Sequence, residues 1–410
     1  LSGGFPDACV VNKMINGKQC TVCWYVDDVK ISHVEESVVE DLVSKMQEEY
    51  GKEAPLTVNR GKIQEYLGMK IDFSNENKVV FSMRDYTKNL LEECPDELLM
   101  GGVAASSAAS HIFNVNPKAP KLNEEKAEIF HHLVAKLLYL SKRTRPDIQL
   151  PVAFLTTRVR EPDIDDWKKL GRCLCYLNDN RDLDLTLEIT LPFIIRWWID
   201  AAYGVHRDCK SHTGAAMSLG KGCPINGSRK QRINTRSSTE AELVGVNDYM
   251  TMVLWVRLFL EAQGIEVVDN IIYQDNKSTM LLEKNGRQSS GKNKTRHFEI
   301  RYYFIHDHIK RGTTRVEYCP TDLMVGDFHT KPLQGSAFRR FRAIIMNLPS
   351  DPVLDPMTDS QECVGTSSET SVRQPNLFED RSRPQDKDSW TEVARKRRNP
   401  RTSKNNSRSA

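Results

Sequence analysis

The sequence lacks any uninterrupted apolar run approaching the ~18 residues that span a bilayer. It also lacks the basic-then-apolar opening of a secretory signal. No membrane partner is expected, and the place of action reads as intracellular, in cytoplasm or nucleus. Charge of one sign is not in excess: 58 Lys and Arg against 55 Asp and Glu leave a net charge of +3. Such a balance does not mark a globally basic nucleic-acid binder, though it leaves a local basic face open. No internal repeat is present. The ten cysteines are scattered through a large chain, which reads as reduced thiols rather than a disulfide framework. Leu1 rather than Met opens the chain, and this reads as a truncated or processed N-terminus. What is present is enough for a core. Apolar residues at 39% and charged residues at 28% exclude wholesale disorder, and 410 residues suggest two or three domains.

Along the chain, Cys20 to Tyr25 and Val29 to His33 read as two strands around a tight polar turn. Val34 to Tyr50 has helical spacing, residues 62–83 return to strand character, and Tyr86 to Cys94 reads as a helix stopped by Pro95. Residues 95–122 break the composition with Gly, Ala, Ser and Pro, and read as a loop or linker. Residues 123–178 look all-helical, interrupted at Pro146 and Pro151. From Phe193 to Leu348 the order is three strands, helix, strand, two helices, strand, helix. Beyond Pro349 an acidic stretch precedes a basic one that includes Arg395-Lys396-Arg397-Arg398, and this tail is expected to be disordered. The basic run suits nuclear localisation, RNA binding or simple solubility.

Tyr25-Val26-Asp27-Asp28 places two adjacent acids at the hairpin tip. A solvated turn explains them plainly, since Asp is common in turns. A Mg²⁺ site explains them chemically, because hard cations take carboxylate oxygens. The stretch from Cys20 to Ile31 resembles the YVDD hairpin of copia-type retrotransposon reverse transcriptases. Glu65-Tyr66-Leu67-Gly68-Met69 resembles that family's segment near the primer. Phe81-Ser-Met-Arg-Asp-Tyr86 resembles the start of its thumb. Phe130 to Ser141, Arg145-Pro146-Asp147-Ile148 and Trp167 to Leu177 follow in the family's order, so the resemblance covers nearly all of residues 1–345. It implies that Asp27 and Asp28 are polymerase metal ligands, and that Tyr25, Leu67, Gly68 and Met69 face the template–primer. Such a polymerase also needs a third Asp from an upstream strand. Only 26 residues precede Asp27, and Asp7 lies in a short Gly/Pro-flanked segment, so polymerisation is not expected from this chain alone.

A second set of acids is better supported. Phe193 to Asp200 is an apolar strand ending in an acid, and so is Ile271 to Asp275. Ser237-Ser-Thr-Glu-Ala-Glu242 opens a helix, with Ser237/Glu240 and Thr239/Glu242 both fitting capping boxes. Val325-Gly326-Asp327 is read as opening the last helix. Each acid alone passes for a turn or cap residue. Together they sit in the element order of the ribonuclease H fold. Ser211-His-Thr-Gly214, Ser237 to Leu243, Gln274-Asp-Asn276, Arg296-His297-Phe-Glu-Ile-Arg301 and Asp327-Phe-His-Thr-Lys-Pro-Leu333 resemble the copia-type RNase H in sequence and order.

The resemblance implies that Asp200, Glu242, Asp275 and Asp327 hold two Mg²⁺ ions, with Mn²⁺ as the substitute. It implies cleavage of RNA in an RNA–DNA hybrid by metal-activated water. Glu242 is preferred to Glu240 because the family's acid directly precedes an apolar residue, here Leu243. No His lies between Gly312 and Gly326, where some relatives carry one before the fourth acid, so His329 is the substitute candidate. His297 reads as structural or substrate-facing. Lys210, Arg229, Lys230, Arg232 and Arg236 lie on and between the early strands. They suit either the phosphates of a hybrid or a solvated sheet edge. Cys20-x-x-Cys23, Cys173 and Cys175 lack a second Cys/His pair at zinc spacing and read as buried thiols.

The expected fold is α/β and α+β. A partial reverse transcriptase palm spans 1–95 and a helical thumb and connection 96–190. A ribonuclease H-like domain, with a mixed five-stranded sheet and helices on both faces, spans 191–348, and a disordered tail spans 349–410. Beyond nucleic acid, the partner implied is the remaining polyprotein, namely integrase and the missing fingers and palm. A catalytically silent relic that only binds nucleic acid is one competing reading, and an RNA-directed DNA polymerase completed by supplied fingers and palm is the other.

Overall fold

The computed structural model describes residues 9–52, 55–285 and 296–349. The expected tail from 350 on, and Asp7, lie outside the described residues, as does the His297 side chain. The N-terminal part is a meander of β1 (Val10–Ile15), β2 (Lys18–Tyr25) and β3 (Asp28–Ser32), followed by α1 (Glu36–Tyr50). Tyr25 pairs with Asp28, so Val26 and Asp27 form a two-residue loop with Val26 at φ 57°. That is a left-handed position glycine favours, held here by a fully formed hairpin. β4 (Ile63–Tyr66), β5 (Met69–Asp72) and β6 (Val79–Ser82) follow. Leu67 and Gly68 make the β4–β5 turn, both at positive φ. β1 was not foreseen as a strand, nor were the short strands at 185–189 and 220–221.

The connector is helical: α2 (Arg84–Glu92), α3 (Asp96–Leu99), α4 (Glu124–Ser141), α5 (Gln149–Thr156) and α6 (Ile164–Asp179). Asn123 caps α4, and Asp163 with Asp166 forms a full capping box on α6. The stretch 95–122 is not a free linker. Ala104, Ser106, Ala108 and Ile112 are buried, and Ser106 and Ala108 bond the Gln334 side chain. Its small side chains let the backbone pack closely, and its polar atoms find partners inside. Under it, Arg145 and Asp147 form a bidentate pair at 2.9 and 2.7 Å with no more than 1% side-chain exposure.

β7 (Leu185–Ile189) returns to pair with β6 and then with β10 (Gly220–Lys221), giving the sheet order β10-β7-β6-β5-β4. The remaining elements are β8 (Ile194–Ala202), β9 (His212–Ser218), β11 (Ile225–Lys230), α7 (Ser238–Ala262), β12 (Asp269–Gln274), α8 (Lys277–Asn285), α9 (Arg296–Lys310), β13 (Arg315–Tyr318) and α10 (Gly335–Met346). Their sheet runs β11-β9-β8-β12-β13. β8, β9 and β11 are antiparallel neighbours, while β12 is parallel to β8 and β13 to β12. This is the mixed five-stranded sheet of the ribonuclease H fold. Alternation along β8 sends Ile195, Trp197 and Ile199 to α7, with Leu243, Val246 and Met250 opposite. The other face, with Ala216, belongs to one core with the connector helices and α10. Helices therefore cover both faces, and the core crosses residue 190 without a break.

Two local expectations are corrected. Glu240 returns its carboxylate to the Arg236 N–H rather than to Ser237, so only the Ser237-to-Glu240 half of that box exists. Thr239 and Glu242 lie inside α7 and form no box. Asp327 does not open the last helix. It sits in a 3₁₀ turn, Val325–His329, that cannot run on because Pro332 follows. Among the described residues α7 alone is long and apolar enough to cross a membrane, but half of its apolar window is buried against the sheet.

Candidate metal centre

Central strand β8 delivers Asp200 at its C-terminal end. Parallel β12 ends one residue before Asp275, so the two carboxylates lie side by side. The 3₁₀ turn packs on β8 and β9 and brings Asp327. One oxygen from each of Asp200, Asp275 and Asp327 lies within 4.8 Å of the others. Glu242, one turn into α7, adjoins this trio. It accepts from the Ala201 N–H, lies close enough to Asp200 to share a hydrogen bond, and is buried. Its Oε2 has no partner. All four acids expected from the sequence are thus brought together.

The electrostatics point the same way. Burial and the Asp200 charge push the Asp327 carboxyl up to about 7, against the pull of Lys331. Burial, Asp200 and Asp275 raise Glu242 well above the ordinary carboxylate range. Burial and Asp200 raise Asp275, although Lys331 and Thr321 oppose them. Crowded carboxylates with an orphaned buried oxygen want positive charge. Lys331 meets part of that need, its Nζ 2.8 Å from Asp327 and 4.0 Å from Asp200, and Thr330 donates to Asp200. Thr321 donates to Asp275 at 3.2 Å. Sequence reasoning passed over Thr330 and Lys331. Their only signal was their place in Asp327-Phe-His-Thr-Lys331. The all-oxygen, acid-rich set suits a hard divalent cation such as Mg²⁺.

Gly214 sets how closely the 3₁₀ turn approaches. A Cβ there would stand 2.7 Å from Thr330 Cγ2 and 2.8 Å from the Gly326 carbonyl. Gly214→Ala is expected to cost about 1–3 kcal/mol and to push Asp327 outward. Calorimetric titration with Mg²⁺ and thermal melts check this, and unchanged metal affinity and Tm would refute it.

A pH profile follows from the same groups. Burial lowers His206 to about 4 and His329 to about 3, and holds His212 well below the ordinary imidazole range. The unfolded chain binds these protons and the folded one does not, so stability rises with pH up to about 6.5. Asp327, and Glu283 pushed up to about 8 by burial, do the reverse, since the folded chain keeps protons that the unfolded one has lost. Above about pH 6.5 the histidine contribution is complete, so metal-free stability is expected to fall from there toward 8. The rise in Tm given by Mg²⁺ should grow over the same window. Melts from pH 5 to 8 in chelator and in Mg²⁺ test this, and a pH-independent Mg²⁺ increment contradicts it.

The remaining expected residues are placed as follows. His329 is fully buried, its Nε2 3.0 Å from Asn226 Oδ1, so it is unsuited to carry protons to solvent near neutrality. Lys210 and Lys230 pair with Asp208, and Arg229 with Asp248, while Arg232 and Arg236 are exposed. Asp27, Asp28 and Tyr25 are exposed at the hairpin tip. No third carboxylate joins Asp27 and Asp28 in a metal-binding group among the described residues. Asp28 does share a cavity of about 740 Å³ with Leu67, Gly68 and Met69. Cys20, Cys173 and Cys175 are buried free thiols, and Cys23 is half-buried.

Comparison with known proteins agrees with these observations. No protein-family profile matches the chain. Its homologues are retrovirus-related Pol polyproteins of copia-type transposons. The chain is 24% identical over 348 residues to the Pol polyprotein of transposon TNT 1-94 from Nicotiana tabacum, covering 83% of this chain and 25% of that one. It is 31% identical over 265 residues to that of transposon RE2 from Arabidopsis thaliana, covering 63% and 17%. A putative transposon Ty5-1 protein of Saccharomyces cerevisiae is 24% identical over 226 residues, covering 55% and 70%. The chain thus spans a quarter or less of the length of the two plant polyproteins. A solved N-terminal RNase H domain from Mycobacterium tuberculosis, fused to maltose-binding protein, aligns at 11% identity and a TM-score of 0.24, covering 36% of this chain and 96% of that one. Strand order and register, not that likeness, identify the fold.

Proposed function

We propose that the chain hydrolyses the RNA strand of RNA–DNA hybrids at the centre formed by Asp200, Glu242, Asp275 and Asp327, with Mg²⁺ as the cofactor. The convergence of three carboxylates within 4.8 Å, with an unpartnered Glu242 oxygen beside them, carries this reading. Bound divalent metal would activate water and neutralise the leaving oxygen. The protein's own contribution is positional. β8 and β12 fix Asp200 and Asp275 on rigid adjacent strands. Thr330 and Thr321 orient one oxygen of each, leaving other lone pairs free. Lys331 bridges the Asp327 and Asp200 carboxylates, and with a divalent cation bound its ammonium would be available to a phosphate oxygen. Arg232 and Arg236 supply uncommitted charge for the hybrid backbone.

Polymerisation is not proposed for this chain alone. A template–primer role for Tyr25, Asp27, Asp28, Leu67, Gly68 and Met69 rests on the cavity that Asp28 shares with the β4–β5 turn, and calls for a complementing polyprotein segment. The test is incubation of the intact chain with labelled RNA–DNA hybrid, duplex RNA and duplex DNA in Mg²⁺. Cutting of the RNA strand of the hybrid alone is expected, and an uncut hybrid overturns the proposal.

A further inference from the structure

We propose that the seam between the helical connector and the nuclease sheet holds an anion seat, built by Lys142, Arg229 and Lys230, for a backbone phosphate of the bound nucleic acid. It rests on the hydrolytic reading above for the identity of the ligand. A cavity of about 200 Å³ opens where α4 and α5 meet β11. Its lining includes these three cations and the hydroxyl-bearing Ser141, Thr156, Thr157 and Ser228, but no carboxylate. Lys230 is neutralised by Asp208 at 2.8 Å. Arg229 lies over the Tyr249 ring, donates to the Asp248 carbonyl at 2.9 Å and pairs with the Asp248 carboxylate at 3.7 Å. Lys142 is exposed and has no acidic partner among the described residues, and desolvation at the seam together with the Arg229 charge lowers its pKa. Lys142 is thus the cation of this hollow that an anion from outside would meet, with the paired Arg229 and Lys230 adding to the local positive potential.

Gln149 adds an independent sign. It is 3% exposed, its Nε2 donates to the Ser141 carbonyl at 2.9 Å, and its Oε1 has no partner. A buried acceptor left without a donor is uncommon in a folded protein. A sugar hydroxyl beside a phosphate would supply that donor. The position also fits. Ser228 lies across from Gly214, and Gly214 across from Asp200, so all three share one face. The seat is therefore two strand spacings, about 10 Å, from the Asp200 backbone. One duplex can reach both. The residue that sequence reasoning had not singled out is Lys142, which comes from the connector rather than the sheet.

The experiment has two arms, both on the full chain. Hybrid binding is measured in an Asp275→Asn background, which keeps the substrate intact, across a range of NaCl concentrations. Adding Lys142→Ala is expected to weaken binding about 5- to 10-fold and to shrink the salt slope by about one, while Lys142→Arg restores both. In the second arm, inorganic phosphate is expected to raise the Tm of the wild type but not of Lys142→Glu. Equal stabilisation of both chains by phosphate would mean there is no seat. A seat that responds to phosphate while hybrid affinity ignores Lys142 takes a free anion, which overturns the assignment to nucleic acid. If the hybrid binds none of these chains, the hydrolytic reading fails, and the phosphate arm alone decides whether the seat exists.

Discussion

Asp275→Asn is expected to lower hybrid cleavage by on the order of 10³-fold or more, with little change in fold. The substitution keeps the side chain's shape and removes one of the converging charges. If the carboxylates exist to hold metal over a scissile phosphate, losing one withdraws several kcal/mol of charge stabilisation from the transition state. The same change relieves repulsion in the metal-free chain, where Asp275 is raised by burial and Asp200. Its Tm in chelator should therefore equal or exceed that of wild type, and its gain on adding Mg²⁺ should shrink. This pairing separates a catalytic role from a structural one. A merely structural acid would lose stability and activity together. Retained cleavage at wild-type rates would remove the centre from consideration.

The largest stability effect is expected far from that centre, at Asp147→Ala. Arg145 and Asp147 are buried together, and Tyr176 donates to Asp147 at 2.7 Å while Arg342 donates to Tyr176 at 3.0 Å. Burial opposes the Arg145 charge, but Asp147 and Tyr176 outweigh it and hold it firmly protonated. Removing Asp147 leaves that guanidinium in the core without its carboxylate, held by the Asn180 carbonyl and the neutral Tyr176 hydroxyl. The cost should be about 3–5 kcal/mol, or a fall in Tm on the order of 10 °C. Replacing both partners by apolar residues should recover much of it. Denaturant melts of the single and double variants decide the matter. A single change costing under about 1 kcal/mol would show that the charge finds water instead.

The four acids were legible because each ends or opens an element with a strong pattern of its own. Asp200 and Asp275 follow apolar strands, and Glu242 follows a helix start marked by Ser237. Asp327 was placed correctly among them but on the wrong element, since a 3₁₀ turn and a first helical turn look alike until Pro332 is weighed. The basic residues were seen without their partners. Asp208 and Asp248 neutralise Lys230 and Arg229 across about 20 residues of chain, a pairing no local pattern reveals. Composition misled at 95–122, because Gly, Ala and Ser serve a mobile tether and a tightly packed strap equally well. Nor could spacing show that His329 is buried, or that Gly214 leaves no room for a methyl group against Thr330.

The strap at 95–122 carries one more residue with consequences. Phe113 sets its ring edge-on against Phe154 of the connector and packs at 5.1 and 5.2 Å on His206 and His212 beside and on β9. His212 in turn bonds Ser228, which bonds the His329 carbonyl in the turn bearing Asp327. Excising residues 191–348 for transplantation would leave an open socket facing two neutral imidazoles. A fragment that keeps this contact has to begin upstream of Phe113.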